Sequence, residues 1–138
     1  MLRFIFRTDP QYPVVRTAIR KLRTEKHTLY ISSQNCIEFW NVATRPTAKN
    51  SFGLTPTDTK RMVQRIERLF PLLPDIPAAY PEWRRLVVTY TVSGVQVHDA
   101  RLIASMKANG VTHILTFNTS DFTRYAVEGI VVIDSVTV

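Results

Sequence analysis

Apolar residues recur at helical spacing in five stretches of the chain, with polar and charged residues at the positions between them. This pattern predicts five helices, which cover residues 12–24, 34–44, 56–70, 76–92 and 97–109. The first helix has a basic face opposite its apolar face, which suits either solvent or a phosphate group. The second helix is apolar on nearly every side, so we predict that it lies in the core.

Short runs of β-branched and aromatic residues separate several of the predicted helices. Residues 28–32, 113–117 and 129–133 have this composition and predict buried strands. Because strands alternate with helices along the chain, we predict an α/β fold, with a parallel sheet that has helices on both faces. A chain of 138 residues is long enough for one domain with a substantial core, so we predict a single domain over residues 1–138.

Capping residues mark the ends of several predicted helices. Ser32 or Ser33 can cap the second helix, and Thr55 followed by Pro56 is a typical start for the third. The dipeptides Arg45–Pro46 and Asn109–Gly110 are stop signals, since the first disfavours helical backbone and the second permits a left-handed turn.

Composition and charge narrow the class of protein. Apolar residues make up 45% and charged residues 21%, as in soluble globular proteins, and no apolar run is long enough to span a bilayer. The single cysteine and the lack of a signal peptide predict a cytoplasmic protein. A formal net charge of +7 favours RNA or DNA as a partner, although an acidic protein or plain solubility would also explain it.

Three carboxylates are candidates for chemistry, and each also has an ordinary structural explanation. Glu38 has apolar neighbours, where a buried charge needs a partner or a metal unless the side chain points outward. Asp99 lies at a helix start, where an acid interacts favourably with the helix dipole, and Asp121 lies in a turn. Asp99 and Asp121 are predicted to reach one edge of the sheet, where α/β proteins usually build their sites.

A cluster of such acids would favour a divalent cation. Neighbouring carboxylates repel each other and raise each other's pKa values unless a cation lies between them. Mg²⁺ or Mn²⁺ takes oxygen ligands from one or two acids and leaves room for a phosphate. Such an ion can activate water and stabilise the leaving oxygen in phosphodiester cleavage.

Four segments of the chain, residues 29–32, 37–46, 97–102 and 110–122, carry a resemblance to a known family. They resemble the PIN-domain ribonucleases, in particular the VapC-type toxins of bacterial toxin–antitoxin pairs. The resemblance implies a PIN-like α/β/α sandwich around a central parallel sheet. It also implies that Glu38, Asp99 and Asp121 form an acidic site that binds Mg²⁺ or Mn²⁺ and cleaves RNA, with Asn118 as a polar neighbour.

The resemblance also implies partners. A cognate antitoxin protein would hold the toxin inactive, and we expect a homodimer and no association with membranes. Arg45 and Lys49 follow the helix that carries Glu38, so we predict that they hold the RNA backbone.

The start of the chain departs from the family pattern. The family opens with a strand that ends in Asp-Thr-Asn, whereas this chain begins with the segment that follows it, so a first strand and a first catalytic Asp are expected to be missing. Residues 2–6 have the composition to supply a strand instead. Either a misassigned start or a decayed gene copy would explain the departure. A PIN remnant that binds RNA or a protein without cleaving is therefore an alternative, and a structural dimerisation module is a third hypothesis.

Other reactive residues have simpler explanations. His27, His98 and His113 lack metal-ligand spacing, and Cys36 is predicted to be a small buried hydrophobic residue. With four glycines the chain has no glycine-rich phosphate loop. The aromatic residues of the helices are predicted to lie in the core or a dimer interface rather than to stack on bases. These residues are Phe39, Trp40 and Trp83.

Overall fold

The structure, a computed structural model, describes residues 7–46 and 52–138. The chain divides into two compact units, Met1–Leu72 and Leu73–Val138. Residues 2–6, predicted to supply a strand, lie outside the described residues, and so does Lys49. Within the described ranges, no helix is both long and apolar enough to cross a membrane.

The first unit is mostly helical. Its elements are α1 (Tyr12–Thr24), β1 (Ile31–Ser32), α2 (Ser33–Thr44) and α3 (Pro56–Leu69), and β2 (Leu72–Leu73) follows at its end. The first helix has the predicted bounds, but β1 is shorter than the predicted run of residues 28–32. Its partner β2 has only two residues, and Pro71 before it accepts a hydrogen bond from the backbone N–H of Ile31 but has no N–H to donate in return.

The helix α2 begins with a reciprocal cap. The Ser32 hydroxyl accepts a hydrogen bond from the backbone N–H of Asn35 at 3.2 Å, and the Asn35 side chain accepts one from the backbone N–H of Ser32 at 3.0 Å. These bonds satisfy two amides that the helix itself leaves unpaired. The prediction of a serine cap at this position is therefore confirmed.

Replacing Ser32 by Ala should lower the free energy of unfolding by about 1 kcal/mol, because Ser32 is buried and one amide of the first turn loses its partner. Urea denaturation would measure the change. Ser93→Ala is a suitable control, because Ser93 is exposed and lies outside the helices. Equal stability of the two variants would contradict a stabilising role for the cap.

The prediction that α2 is buried all round is wrong. Phe39 and Ala43 are fully buried against Ile31, Ile66 and Phe70, but the opposite side of the helix is open. Two large apolar side chains there are exposed, Ile37 by 65% and Trp40 by 36%. A helix that packs against its unit on one side buries only the residues of that side, even when residues on its opposite side are also apolar.

The second unit contains the parallel sheet. Its elements are α4 (Ala79–Thr89), α5 (Gln96–Ala108), β3 (His113–Thr116), two 3₁₀ segments (Thr119–Asp121 and Thr123–Glu128) and β4 (Val131–Asp134). The strands β3 and β4 pair in parallel, with His113 opposite Val131 and Thr116 opposite Asp134. The α/β class and the parallel pairing are confirmed.

The predicted alternation of strands and helices is interrupted in this unit. The helix α4 leads directly into α5, and the two 3₁₀ segments take the place of a helix between β3 and β4. Leu86 of α4 and Ile103 of α5 are fully buried, and they belong to a cluster that also contains Ile114 and Tyr125. The apolar faces of α4 and α5 pack into one cluster with β3, so the two helices can follow each other along the chain without a strand between them. Gly110 ends α5 with a φ of 70°, as its stop signal predicts.

Candidate functional site

Asp99 lies in the first turn of α5, where its side chain is partly buried. Burial raises the pKa of the nearby Tyr125 hydroxyl, Arg124 lowers that pKa, and the negative charge of Asp99 raises it further. Arg124 also donates a hydrogen bond to the Gln96 side chain at 3.1 Å. These interactions bring the start of α5 alongside the second 3₁₀ segment, which directly follows Asp121.

Asn118 and Asp121 follow the carboxyl end of β3. The Thr116 hydroxyl accepts a hydrogen bond from the backbone N–H of Asn118 at 3.0 Å, and the Asp121 N–H donates to the Asn118 carbonyl at 3.2 Å. Asn118 is exposed and Asp121 is half-buried. The predicted position of both residues, just beyond a parallel strand, is therefore correct.

A further acid, Asp134, lies at the same edge of the sheet. It is the last residue of β4 and is opposite Thr116 in the parallel pairing. One carboxylate oxygen accepts a hydrogen bond from the backbone N–H of Val136 at 2.8 Å, which fixes the turn after the strand. Asp134 was not among the predicted site residues, although it directly follows the apolar run of residues 130–133.

Glu38 lies in the first unit, in the middle of α2. Its carboxylate accepts a hydrogen bond from the Gln34 side chain at 3.0 Å, and the residue is exposed. Glu38 is thus not a buried charge, and its stability does not require a metal or an arginine partner. Arg45 is exposed at the end of the same helix.

The residues of the second unit have suitable oxygen donors for a hard divalent cation. Asp99 and Asp121 provide carboxylates and Asn118 an amide oxygen, which are donor types that Mg²⁺ and Mn²⁺ accept. Over residues 7–46 and 52–138, no three or more side chains of His, Cys, Asp and Glu group together in a way that could hold a metal ion.

A network of ion pairs fixes the 3₁₀ segment that follows Asp121. The carboxylate of Glu128, only 12% exposed, accepts hydrogen bonds from Arg85, Lys107 and Tyr90. Glu82 pairs with the same two cations, at 2.7 Å from Arg85 and 3.2 Å from Lys107. Hydrogen bonds from Arg85, Lys107 and Tyr90 lower the pKa of Glu128 to about 2. The network joins α4, α5 and the second 3₁₀ segment, and it was not predicted.

Cys36 has the properties of a structural thiol. Burial and the charge of Glu67 raise its pKa, so the thiol is protonated at neutral pH. This agrees with the interpretation of Cys36 as a small hydrophobic residue rather than a nucleophile.

Comparison with known proteins identifies the family. The sequence profile of the PIN domain matches residues 1–128, and the chain belongs to the PIN domain family. No curated protein and no solved structure gave a significant match. Membership of this family implies a nuclease-type function and binding of nucleic acid.

Proposed function

We propose that this PIN domain is a metal-dependent endoribonuclease and the toxin component of a type II toxin–antitoxin pair. The observation that carries the proposal is the arrangement within the second unit. The start of α5, with Asp99, lies alongside the segment that directly follows Asp121, and Asp121 itself follows the carboxyl end of β3. Acidic sites that bind metal and phosphate need such convergence of separate elements.

The distribution of charge supports RNA as the substrate. Residues 1–72 contain 13 Lys and Arg against 5 Asp and Glu, a net charge of +8, and residues 73–138 contain 5 against 6, a net charge of −1. The exposed cations of α1 and α3 contribute to this excess. They are Arg16, Arg20, Lys21, Arg23, Lys60, Arg61, Arg65 and Arg68. We infer that the first unit, with Arg45 and Lys49, attracts the phosphate backbone, while the second supplies Asp99 and Asp121.

The residues have distinct roles in the proposed reaction. Asp99 and Asp121 would hold Mg²⁺ or Mn²⁺, and Glu38 would help to position the metal or the attacking water. A bound divalent cation would make water more acidic and neutralise charge on the phosphate. The Asn118 side chain, exposed beside Asp121, can donate a hydrogen bond to a phosphate or ribose oxygen of the substrate.

The exposed apolar side chains of α2 support the proposal of a protein partner. Ile37 and Trp40 line a cavity of about 480 Å³ together with Asn41, Thr44 and other residues of the first unit. The charged surface of the same unit is strongly basic. We propose that an antitoxin segment with apolar anchors and acidic flanks contacts this region, and that the chain forms a homodimer.

The test of the proposed function is cleavage of single-stranded RNA. Purified chain should cut an end-labelled RNA pool in the presence of Mg²⁺ or Mn²⁺, lose that activity in EDTA, and regain it when excess Mn²⁺ is added. The chain after heat denaturation serves as the control for contaminating nucleases that survive heating. RNA that binds in a gel-shift assay but stays intact with every divalent ion would contradict the proposal and support a non-cleaving RNA-binding protein.

A further inference from the structure

The second unit contains a cavity that the proposed site does not use. Its volume is about 520 Å³, within the range of small-molecule sites. The residues before α4 and the first turns of that helix form one wall, with Asp75, Tyr80 and Trp83, and α5 forms another, with Arg101 and Ser105. Most of the lining surface is apolar, and the charged side chains in it are Asp75 and Arg101.

Two aromatic rings form a flat surface at this cavity. The rings of Tyr80 and Trp83 stack with centroids 5.8 Å apart and planes inclined by 27°. The indole N–H of Trp83 donates to the carbonyl of Val97 at 2.9 Å, which fixes the orientation of the ring, and the tyrosine is 63% exposed. The guanidinium of Arg84 lies 5.9 Å from the Tyr80 centroid. Trp83 is half-buried, packs against the core cluster of the second unit and lines the cavity.

A hydroxyl in the cavity wall has no partner. Ser105 is only 8% exposed, and its Oγ forms no hydrogen bond within the part of the chain that the structure describes. Buried polar groups are normally paired, since an unpaired one is destabilising. A ligand with a hydrogen-bonding edge would provide the missing partner.

We propose that this cavity binds one unpaired nucleobase of the RNA substrate. The inference rests on the proposed function, from which it takes RNA as the ligand. A base offers an aromatic face to Tyr80 and a polar edge to Ser105. An aliphatic peptide side chain would fill the apolar space but would leave the Ser105 hydroxyl unpaired.

The position of the cavity on α5 indicates which nucleotide binds there. Successive helical residues are about 100° apart, so Asp99 and Arg101 point in directions about 160° apart around α5. Arg101 and Ser105 are four residues apart and share a face. The bound base therefore belongs to a nucleotide next to the scissile phosphate or further along the strand, and it contributes to substrate binding and sequence preference rather than to the chemical step.

Fluorescence of Trp83 provides a direct test. The chain has two tryptophans, so Trp83 is the only emitter in a Trp40→Phe background. Titration with the four nucleoside 5′-monophosphates should give saturable quenching by at least one, and Tyr80→Ala should weaken that affinity by about fivefold or more. Tyr30→Ala is the matched control, since Tyr30 is also an exposed tyrosine and does not line the cavity. Linear, non-saturating quenching by all four nucleotides would overturn the proposal.

Ser105→Ala separates a ligand contact from a structural role. The variant should melt at a higher temperature than the parent, because a buried unpaired hydroxyl is removed, and yet bind the nucleotide several-fold more weakly. Unchanged nucleotide affinity would argue against the hydroxyl as a base contact.

Cleavage assays distinguish this inference from the proposed function. A chain that cuts RNA, with Tyr80→Ala identical to the parent in KM and in cleavage sequence, would disprove the base site and leave the nuclease intact. Saturable nucleotide binding that depends on Tyr80, in a chain that never cuts RNA, would retain the base site and reject the nuclease. Saturable quenching by an apolar peptide and by none of the nucleotides would overturn the base site in favour of a protein partner.

Discussion

Asp99→Asn is expected to lower the rate of RNA cleavage about a hundredfold or more, with little change in RNA affinity. The substitution keeps the size of the side chain and removes its negative charge. A divalent cation depends on anionic oxygens, and the substitution would leave Asp121 as the remaining proposed carboxylate ligand from the second unit. Cleavage rates and gel-shift affinities of the two proteins at several Mg²⁺ concentrations would measure both effects.

The chain contains a well-matched control for this experiment. Asp58 lies in the first turn of α3, as Asp99 lies in the first turn of α5, and both interact with a helix dipole. Asp58→Asn should cost about 0.3–1 kcal/mol of stability and leave cleavage unchanged. If Asp99→Asn lost only a similar amount of stability and still cut RNA at the parent rate, Asp99 would be an ordinary helix-start acid.

Glu128→Ala is expected to lower the free energy of unfolding by about 2–3 kcal/mol. Removing one partner of a well-buried ion pair costs about 3–5 kcal/mol, and the partial exposure of the cations reduces that figure here. Arg85 is 44% exposed and Lys107 24%, and both would retain Glu82 as a partner. Urea denaturation would measure the loss. Glu67→Ala on the exposed face of α3 should change stability by less than about 0.5 kcal/mol.

The same carboxylate predicts a dependence of stability on pH. The pKa of Glu128 is about 2 in the folded chain, below its ordinary value of 4.5. A carboxylate whose pKa is lower in the folded chain than in the unfolded chain contributes its full stabilisation at pH values above the unfolded pKa. This stabilisation disappears as the pH falls from 4.5 towards 2. Glu128→Gln should therefore flatten the decline in stability over this acidic range. An unchanged pH profile in the variant would show that the other carboxylates, including Glu82, account for the decline.

The helices could be predicted from the sequence because their signals are local. The bounds of α1 agree with the prediction, and those of α5 differ by one residue at each end. Apolar spacing defines such a helix, and a capping residue or Gly110 ends it, with no information from distant parts of the chain. The exposed side of α2 could not be predicted, because composition alone does not determine which apolar residues find a partner.

The candidate site was predictable to a similar degree. The position of Asp99 at a helix start and of Asp121 after a strand followed from local pattern, and the family followed from the resemblance of four segments to known PIN domains. The contacts that hold these elements together were not predictable, since Glu128 lies 43 residues from Arg85 and 21 from Lys107. The Trp83 cavity also depends on tertiary packing, because helical spacing is the same for a core aromatic residue and for one that lines a cavity.

The unequal charge of the two units has a consequence for how substrate is captured. Single-stranded RNA carries a layer of condensed counterions, and each phosphate that pairs with a cation of the protein releases part of that layer. The logarithm of the affinity therefore falls as the logarithm of the salt concentration rises, with a slope of about 0.7 per phosphate contact. The first 72 residues have a net charge of +8 and the remainder of the chain has −1, so most of this entropic driving force comes from the first unit. Under the proposed function, monovalent salt would regulate how long RNA stays on the protein, and divalent ions would regulate whether it is cut.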